Sequence, residues 1–148
     1  MDEEKRTRLS LLLKRQARKR RVPGILEAWR SCSVRATALS HERAEHFTDW
    51  VKANWRSPDE RVADSGQCIR QMAAGLDALL FLDLWHWDEA VGALVPARSA
   101  LRVTSRLRVI YPSGFVAADQ ALSRALVVDF DDHVDGAEMA WINADTSA

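Results

Sequence analysis

Cysteine is scarce in this sequence, glycine and proline are sparse, and no long apolar run occurs; each shortage narrows what the chain can be. The two cysteines, Cys32 and Cys68, are too few and too far apart for the disulfide framework of a small secreted domain. Each is expected to pack as a small apolar side chain, and the compartment implied is reducing, with the cytoplasm the expected location. The six glycines form no phosphate-cradling loop, and neither a nucleophile elbow nor a cysteine–histidine pair with recognisable spacing occurs. No catalytic residue, cofactor or metal site is therefore assigned, and the reading is of a protein that is not an enzyme. Leu9 to Leu13 is hemmed in by Lys5, Arg6, Arg8, Lys14 and Arg15, and the most apolar segment, Ala73 to Leu84, is broken by Asp77 and Asp83. Neither a secretion signal nor a membrane span is expected from such stretches.

Net charge is absent as well, because 21 basic residues balance 21 acidic ones. That balance removes any general pull towards nucleic acid, anionic lipid or acidic substrates. The charges are nevertheless segregated along the chain. Residues 1–30 hold ten basic residues against four acidic ones, whereas residues 59–91 carry Asp59, Glu60, Asp64, Asp77, Asp83, Asp88 and Glu89 against only Arg61 and Arg70.

What the chain does have is apolar content: 47% of its 148 residues are hydrophobic, enough for one substantial core. Leu9, Leu12, Leu13 and Ala17 recur at helical spacing among bases, which predicts a basic amphipathic helix or tail over residues 1–22, stopped by Val22-Pro23-Gly24. A second helix is expected through Ile25, Leu26, Trp29 and Cys32. Ser40 can cap a third, with Ala44, Phe47, Val51 and Trp55 on its inner face. Ser57, Pro58 and Glu60 read as a capping box opening a long organising helix to Leu84, striped by Val62, Ile69, Met72, Ala73, Leu76, Leu79 and Leu80. WHWDEAVGALVP, from Trp85, reads as helix end plus loop. From Leu101 to Tyr111 the pattern alternates, with Arg102, Arg106 and Arg108 on the polar face, which predicts a strand. Further strands are expected at Phe115 to Ala118, Arg124 to Asp131 and Glu138 to Asn143. The expected architecture is α+β: helices over 23–95 packed on a three- to four-stranded antiparallel meander over 100–144, forming one domain from residue 23 to 148.

Four constellations carry chemistry. His41 and His46 flank Glu42 and Glu45, but five-residue spacing leaves the two imidazoles about 140° apart on a helix, so the segment reads as a solvated face. Asp129, Asp131 and His133 share strand parity and could hold a divalent ion for hydrolysis; cross-strand pairing of the carboxylates with Arg102, Arg106 and Arg108 is the competing structural reading. Trp85, Trp87, Asp88 and Glu89 have the composition of a contact hot spot. Lys14, Arg15, Arg18, Lys19, Arg20 and Arg21 could neutralise phosphates, dock an acidic protein or lie on anionic lipid with Leu9, Leu12 and Leu13 inserted. The leading expectation is a non-enzymatic binding protein that engages a basic protein partner through Trp85, Trp87, Asp88, Glu89, Asp129, Asp131, Asp132 and Asp135, the kind of surface a toxin-neutralising immunity or inhibitor protein would use. The alternative is a nucleic-acid-binding accessory subunit of a larger complex, acting through the six basic residues from Lys14 to Arg21.

Overall fold

The structure, a computed structural model, describes residues 2–55, 60–62, 65–84, 89–130 and 137–143. In chain order the elements are α1 (Glu3–Ser31), β1 (Thr37–Ala38), α2 (His41–Asn54), β2 (Glu60–Val62), α3 (Ser65–Ala73), β3 (Ala78–Asp83), β4 (Gly92–Pro96), α4 (Ala97–Arg102), a 3-10 turn (Thr104–Arg106), α5 (Leu107–Ile110), β5 (Gly114–Ala118), β6 (Arg124–Asp129) and β7 (Ala137–Asn143). This mixed helix and antiparallel-sheet composition is α+β. The sheet is larger than the expected meander: among the described residues seven strands run β1-β4-β3-β5-β6-β7-β2, every pair antiparallel. Both edge strands are short, two residues in β1 and three in β2, which limits the exposed row of backbone groups that another chain could extend.

Helices cover both faces of this sheet. Alternate residues along each strand divide between two cores, as a two-residue repeat requires. Leu79, Phe81, Phe115, Ala117, Leu126 and Val128 face one side, where Trp29 of α1, Ile69 and Met72 of α3, Ala100 of α4, and Leu107 and Ile110 of α5 meet them. Leu80, Leu82, Val116, Ala118, Ala125 and Val127 face the other, covered by Ala44, Phe47 and Val51 of α2, with Trp50 and Trp55 packed alongside.

Four expectations are corrected by this arrangement. The helix starting at residue 3 does not stop at Pro23 but runs 29 residues to Ser31, roughly 43 Å at 1.5 Å per residue. Proline inside a helix forfeits a backbone bond and crowds the preceding turn; Ile25, Leu26, Ala28 and Trp29, packed into the first core, hold the next two turns in place despite it. The helix then ends in a Schellman motif in which Ser33, at φ 63°, takes the left-handed position. Its N–H donates to the Arg30 carbonyl, and that of Val34 donates to the Trp29 carbonyl.

The long helix expected from Ser57 to Leu84 is the second correction. Ser57 and Pro58 lie outside the described residues, Glu60–Val62 is a strand, and α3 ends at Ala73. Gly75, at φ +79°, reverses the chain into Ala78–Asp83, which is not helix but a central strand with its last five residues buried. Third, GALVP, read as a loop before Pro96, is β4. Fourth, Leu101 to Tyr111 is not a strand. Leu107, Ile110 and Tyr111, spaced at three and four residues, face the core from a helical turn while Val109 is 64% exposed. The Ser40 cap is observed, its Oγ accepting the Arg43 N–H at 3.2 Å, and the three later strands lie close to where the pattern puts them.

The aromatic centre of the first core joins α1 to the sheet. The Trp29 ring lies 5.1 Å edge-on from Phe81 and its indole N–H donates to the Tyr111 hydroxyl at 3.1 Å. Tyr111 stacks in parallel on Phe81 at 6.0 Å. Burial holds the Tyr111 hydroxyl far above the ordinary tyrosine range, against a smaller lowering by the Trp29 bond. A folded-state pKa above the unfolded value of about 10 means that this stability is complete at lower pH and is lost as pH rises past that value. Tyr111 is the one tyrosine in the chain, so an ultraviolet titration reads it alone. The tyrosinate band is expected to appear together with loss of ellipticity above pH ~10; ionisation at that pH with the fold intact would contradict the burial.

Candidate functional site

Strand direction decides which loops meet. Asp83 stands opposite Phe115, Gly114 opposite Asp129, and Asp129 opposite Glu138, while Leu82 stands opposite Gly92. The end of β3, the starts of β4 and β5, the end of β6 and the start of β7 therefore share one end of the sheet. Backbone bonds close it: Asp83 N–H to the Val91 carbonyl and Leu84 N–H to the Gly114 carbonyl, both at 3.1 Å, and Phe130 N–H to the Ser113 carbonyl at 3.3 Å. The connections from Leu84 to Glu89 and from Phe130 to Ala137 both leave from here. Trp85, Trp87, Asp88, Asp131, Asp132, His133 and Asp135 belong to those connections and lie outside the described residues.

Two acids expected in this surface are described. Glu89 is ion-paired with Arg21 of α1 and its side chain is only 21% exposed. Asp129 is half-buried at the last position of β6, in register with a second acid, Glu138. Behind them Asp83 is 7% exposed, a buried carboxyl in the last position of β3. The arginines expected to pair across strands are on helical segments instead. Arg102 reaches the Ser99 hydroxyl at 3.3 Å, and Arg108 donates to the Phe130 carbonyl at 3.2 Å while its guanidinium lies 5.2 Å over the Phe130 ring. A charged sheet face of the expected kind, with three arginines on one strand, is thus not present. Among the described residues no three of His, Cys, Asp and Glu converge as a metal-ligand group.

The basic segment divides into an inner and an outer side. Arg18 donates to the backbone carbonyls of Ala90, at 3.1 Å, and Leu39, which clamps α1 across the edge where β1 meets β4. Arg21 holds Glu89. Arg15 donates to His41 Nε2 at 3.0 Å, and the same nitrogen lies 2.9 Å from the Glu45 carboxylate. One nitrogen cannot accept and donate together, so the two contacts are alternatives. Lys14, Lys19 and Arg20 are exposed. Beside α1, Leu12, Arg15, Gln16, Arg18, Lys19, His41 and Glu42 line an open groove of about 510 Å³.

By charge alone the six bases from Lys14 to Arg21 form one set. The signal that separates them is the helical repeat carried past Pro23, because Arg18 is eleven residues before Trp29 and so lies only about 20° from it around the axis. It faces the protein for the same reason Trp29 does. The opposite side of the same helix carries Leu9 and Leu13, with Leu12 on the flank beside the groove; they remain 47%, 56% and 50% exposed. The chain matches no protein-family model, no curated protein and no solved structure. Among the described residues no helix is long and apolar enough to cross a membrane.

Proposed function

We propose that this protein is a non-enzymatic binding module that offers the sheet end bearing Trp85, Trp87, Asp88, Glu89, Asp129, Asp131, Asp132 and Asp135 to a basic protein partner. What supports this reading is the common origin of the two acidic connections: both leave from one end of one sheet, with β5 between them. The described ends of these connections, Leu84 and Phe130, some forty residues apart in sequence, thereby lie at the same end of the sheet. Acids gathered on a rigid base speed encounter with a cationic partner and disfavour wrong ones, and the indoles of Trp85 and Trp87 supply holding contacts. Glu89 has a different part. Engaged by Arg21, it fixes α1 beside the site and leaves partner contact to its neighbours.

A small inhibitor or toxin-neutralising immunity protein is the type of molecule that this surface suits. The nucleic-acid alternative has weaker support, because Arg18 and Arg21 are engaged by the protein itself and exposed leucines have no role on a phosphate backbone. The double substitution Asp131→Lys, Asp132→Lys tests the leading reading. Affinity capture of the partner from the native host is expected to fall by roughly tenfold or more, as charge reversal at a complementary surface predicts, with the thermal midpoint almost unmoved. If the midpoint falls instead, those acids belong to the fold and the reading fails.

A further inference from the structure

We propose that the outward face of the first half of α1 docks on an anionic lipid bilayer, lying in the interface with Leu9, Leu12 and Leu13 inserted. Four of the five exposed large apolar side chains recorded among the described residues are clustered at Leu9, Leu11, Leu12 and Leu13. Leu11 shares the side of Trp29 and lines a groove with Glu45, Thr48 and Asp49 of α2. Leu9 and Leu13 stand about 160° from Trp29 around the axis and point away from the body, while Leu12, at about 100°, sits on the flank at the rim of the groove beside α2 and is still 50% exposed. Charge selects the occupant. Nine basic residues and no acidic one lie between Lys5 and Arg21, and Lys5, Arg6, Arg8, Lys19 and Arg20 are exposed around the leucines.

Two anionic occupants fit that chemistry, an acidic protein helix and a lipid surface, and size favours the second. Three half-exposed leucines over two turns fall far short of the roughly 800 Å² that each side of a stable protein–protein interface buries. A bilayer needs no matching shape: it accepts leucines one by one at the headgroup boundary while its surface potential holds the lysines and arginines. A second copy of this chain is disfavoured, because pairing α1 with α1 sets two predominantly basic faces together, with only Arg8 paired to an acid, Glu4. The helix is held to the protein through Arg15, Arg18 and Arg21 on its inner side, so the outer side reaches a membrane without unfolding anything.

Sedimentation of the full chain with vesicles of phosphatidylcholine, with and without phosphatidylserine, tests the proposal. Binding is expected only to the phosphatidylserine vesicles, weakening as salt rises. The triple variant Leu9→Gln, Leu12→Gln, Leu13→Gln is expected to bind roughly tenfold more weakly with an unchanged thermal midpoint, since these side chains insert into lipid and touch no core. Three results would overturn the idea: no sedimentation with either vesicle, a triple variant that binds as well as the parent, or tighter binding to duplex RNA or DNA than to vesicles. None of these bears on the acidic sheet end, whose own test does not involve α1.

Discussion

Replacing Trp29 with alanine will lower the thermal midpoint by about 6–20 °C. The estimate follows from removing the largest wholly buried side chain among the described residues, for which Trp→Ala typically costs about 3–5 kcal/mol, at some 2–4 °C per kcal/mol for a protein of this size. Part of that loss is cavity: Phe81 and Tyr111 both lose an edge-on ring contact. Part is polar, because the Tyr111 hydroxyl would lose its indole partner inside the core. Part is architectural, since Trp29 fastens the end of a 29-residue helix whose other residues are all half-buried or exposed. Trp29→Phe keeps most of the ring and forfeits the donor, so it should fall between the parent and the alanine variant. Differential scanning calorimetry on the three proteins reads this directly. A Trp29→Ala midpoint within about 2 °C of the parent would show that α1 is not anchored as described.

Gly114→Ala should be the more damaging of two glycine substitutions by a wide margin. At Gly114, φ is +127°, and an added Cβ would be driven into the Val128 carbonyl oxygen, with Leu84 Cδ2 at 2.9 Å and the Asp129 Cα at 3.1 Å. Two of those three neighbours are backbone and cannot step aside. The expected cost is about 3 kcal/mol or more, from the dihedral and the collision together. Gly75 also has a positive φ, +79°, but nothing lies within 4 Å of the Cβ position. Gly75→Ala should therefore cost only the left-handed conformation, about 1–2 kcal/mol. Denaturant unfolding of both variants separates the two terms; equal losses would mean that close packing at the sheet end is not what fixes Gly114. Because Gly114 sits between the two acidic connections, its variant also reports on how firmly that end is built.

How much of this could be read beforehand differs from element to element. The Ser40 cap and the apolar positions Ala44, Phe47 and Val51 specify α2 locally, and the strands at Phe115, Arg124 and Glu138 carry β-branched and apolar runs bounded by turn residues. Those elements were legible. ALLFLD was not, because a strand covered on both faces loses the polar-apolar alternation that marks a half-exposed one, leaving a continuous apolar run that fits a helix equally well. The segment from Leu101 to Tyr111 misleads in the opposite way. Its alternation of leucine, valine and arginine has period two by composition, yet the buried residues are those at helical spacing, Leu107, Ile110 and Tyr111.

The candidate site shows the same division. Its residue types, indoles beside acids in one stretch and four aspartates near another, were visible as composition; that both stretches spring from one end of a sheet was not, since it depends on strand order. The basic segment was visible as charge, but its partition into Arg18 and Arg21 turned inward and Lys19 and Arg20 turned outward depends on Trp29 finding the core.

By itself the sequence determined what short-range chemistry controls: a capped α2, a turn at Pro112-Ser113-Gly114, a mixed α+β composition, and a chain of zero net charge with its bases gathered early. Tertiary structure decided the rest: which apolar runs became strands, the joining of those strands in the order β1-β4-β3-β5-β6-β7-β2, and the route of α1 past Pro23. The physical reason is that local signals are worth a few tenths to one or two kcal/mol each, whereas burying one Trp29 or a Leu-Leu-Phe-Leu strand on both faces outweighs several of them together.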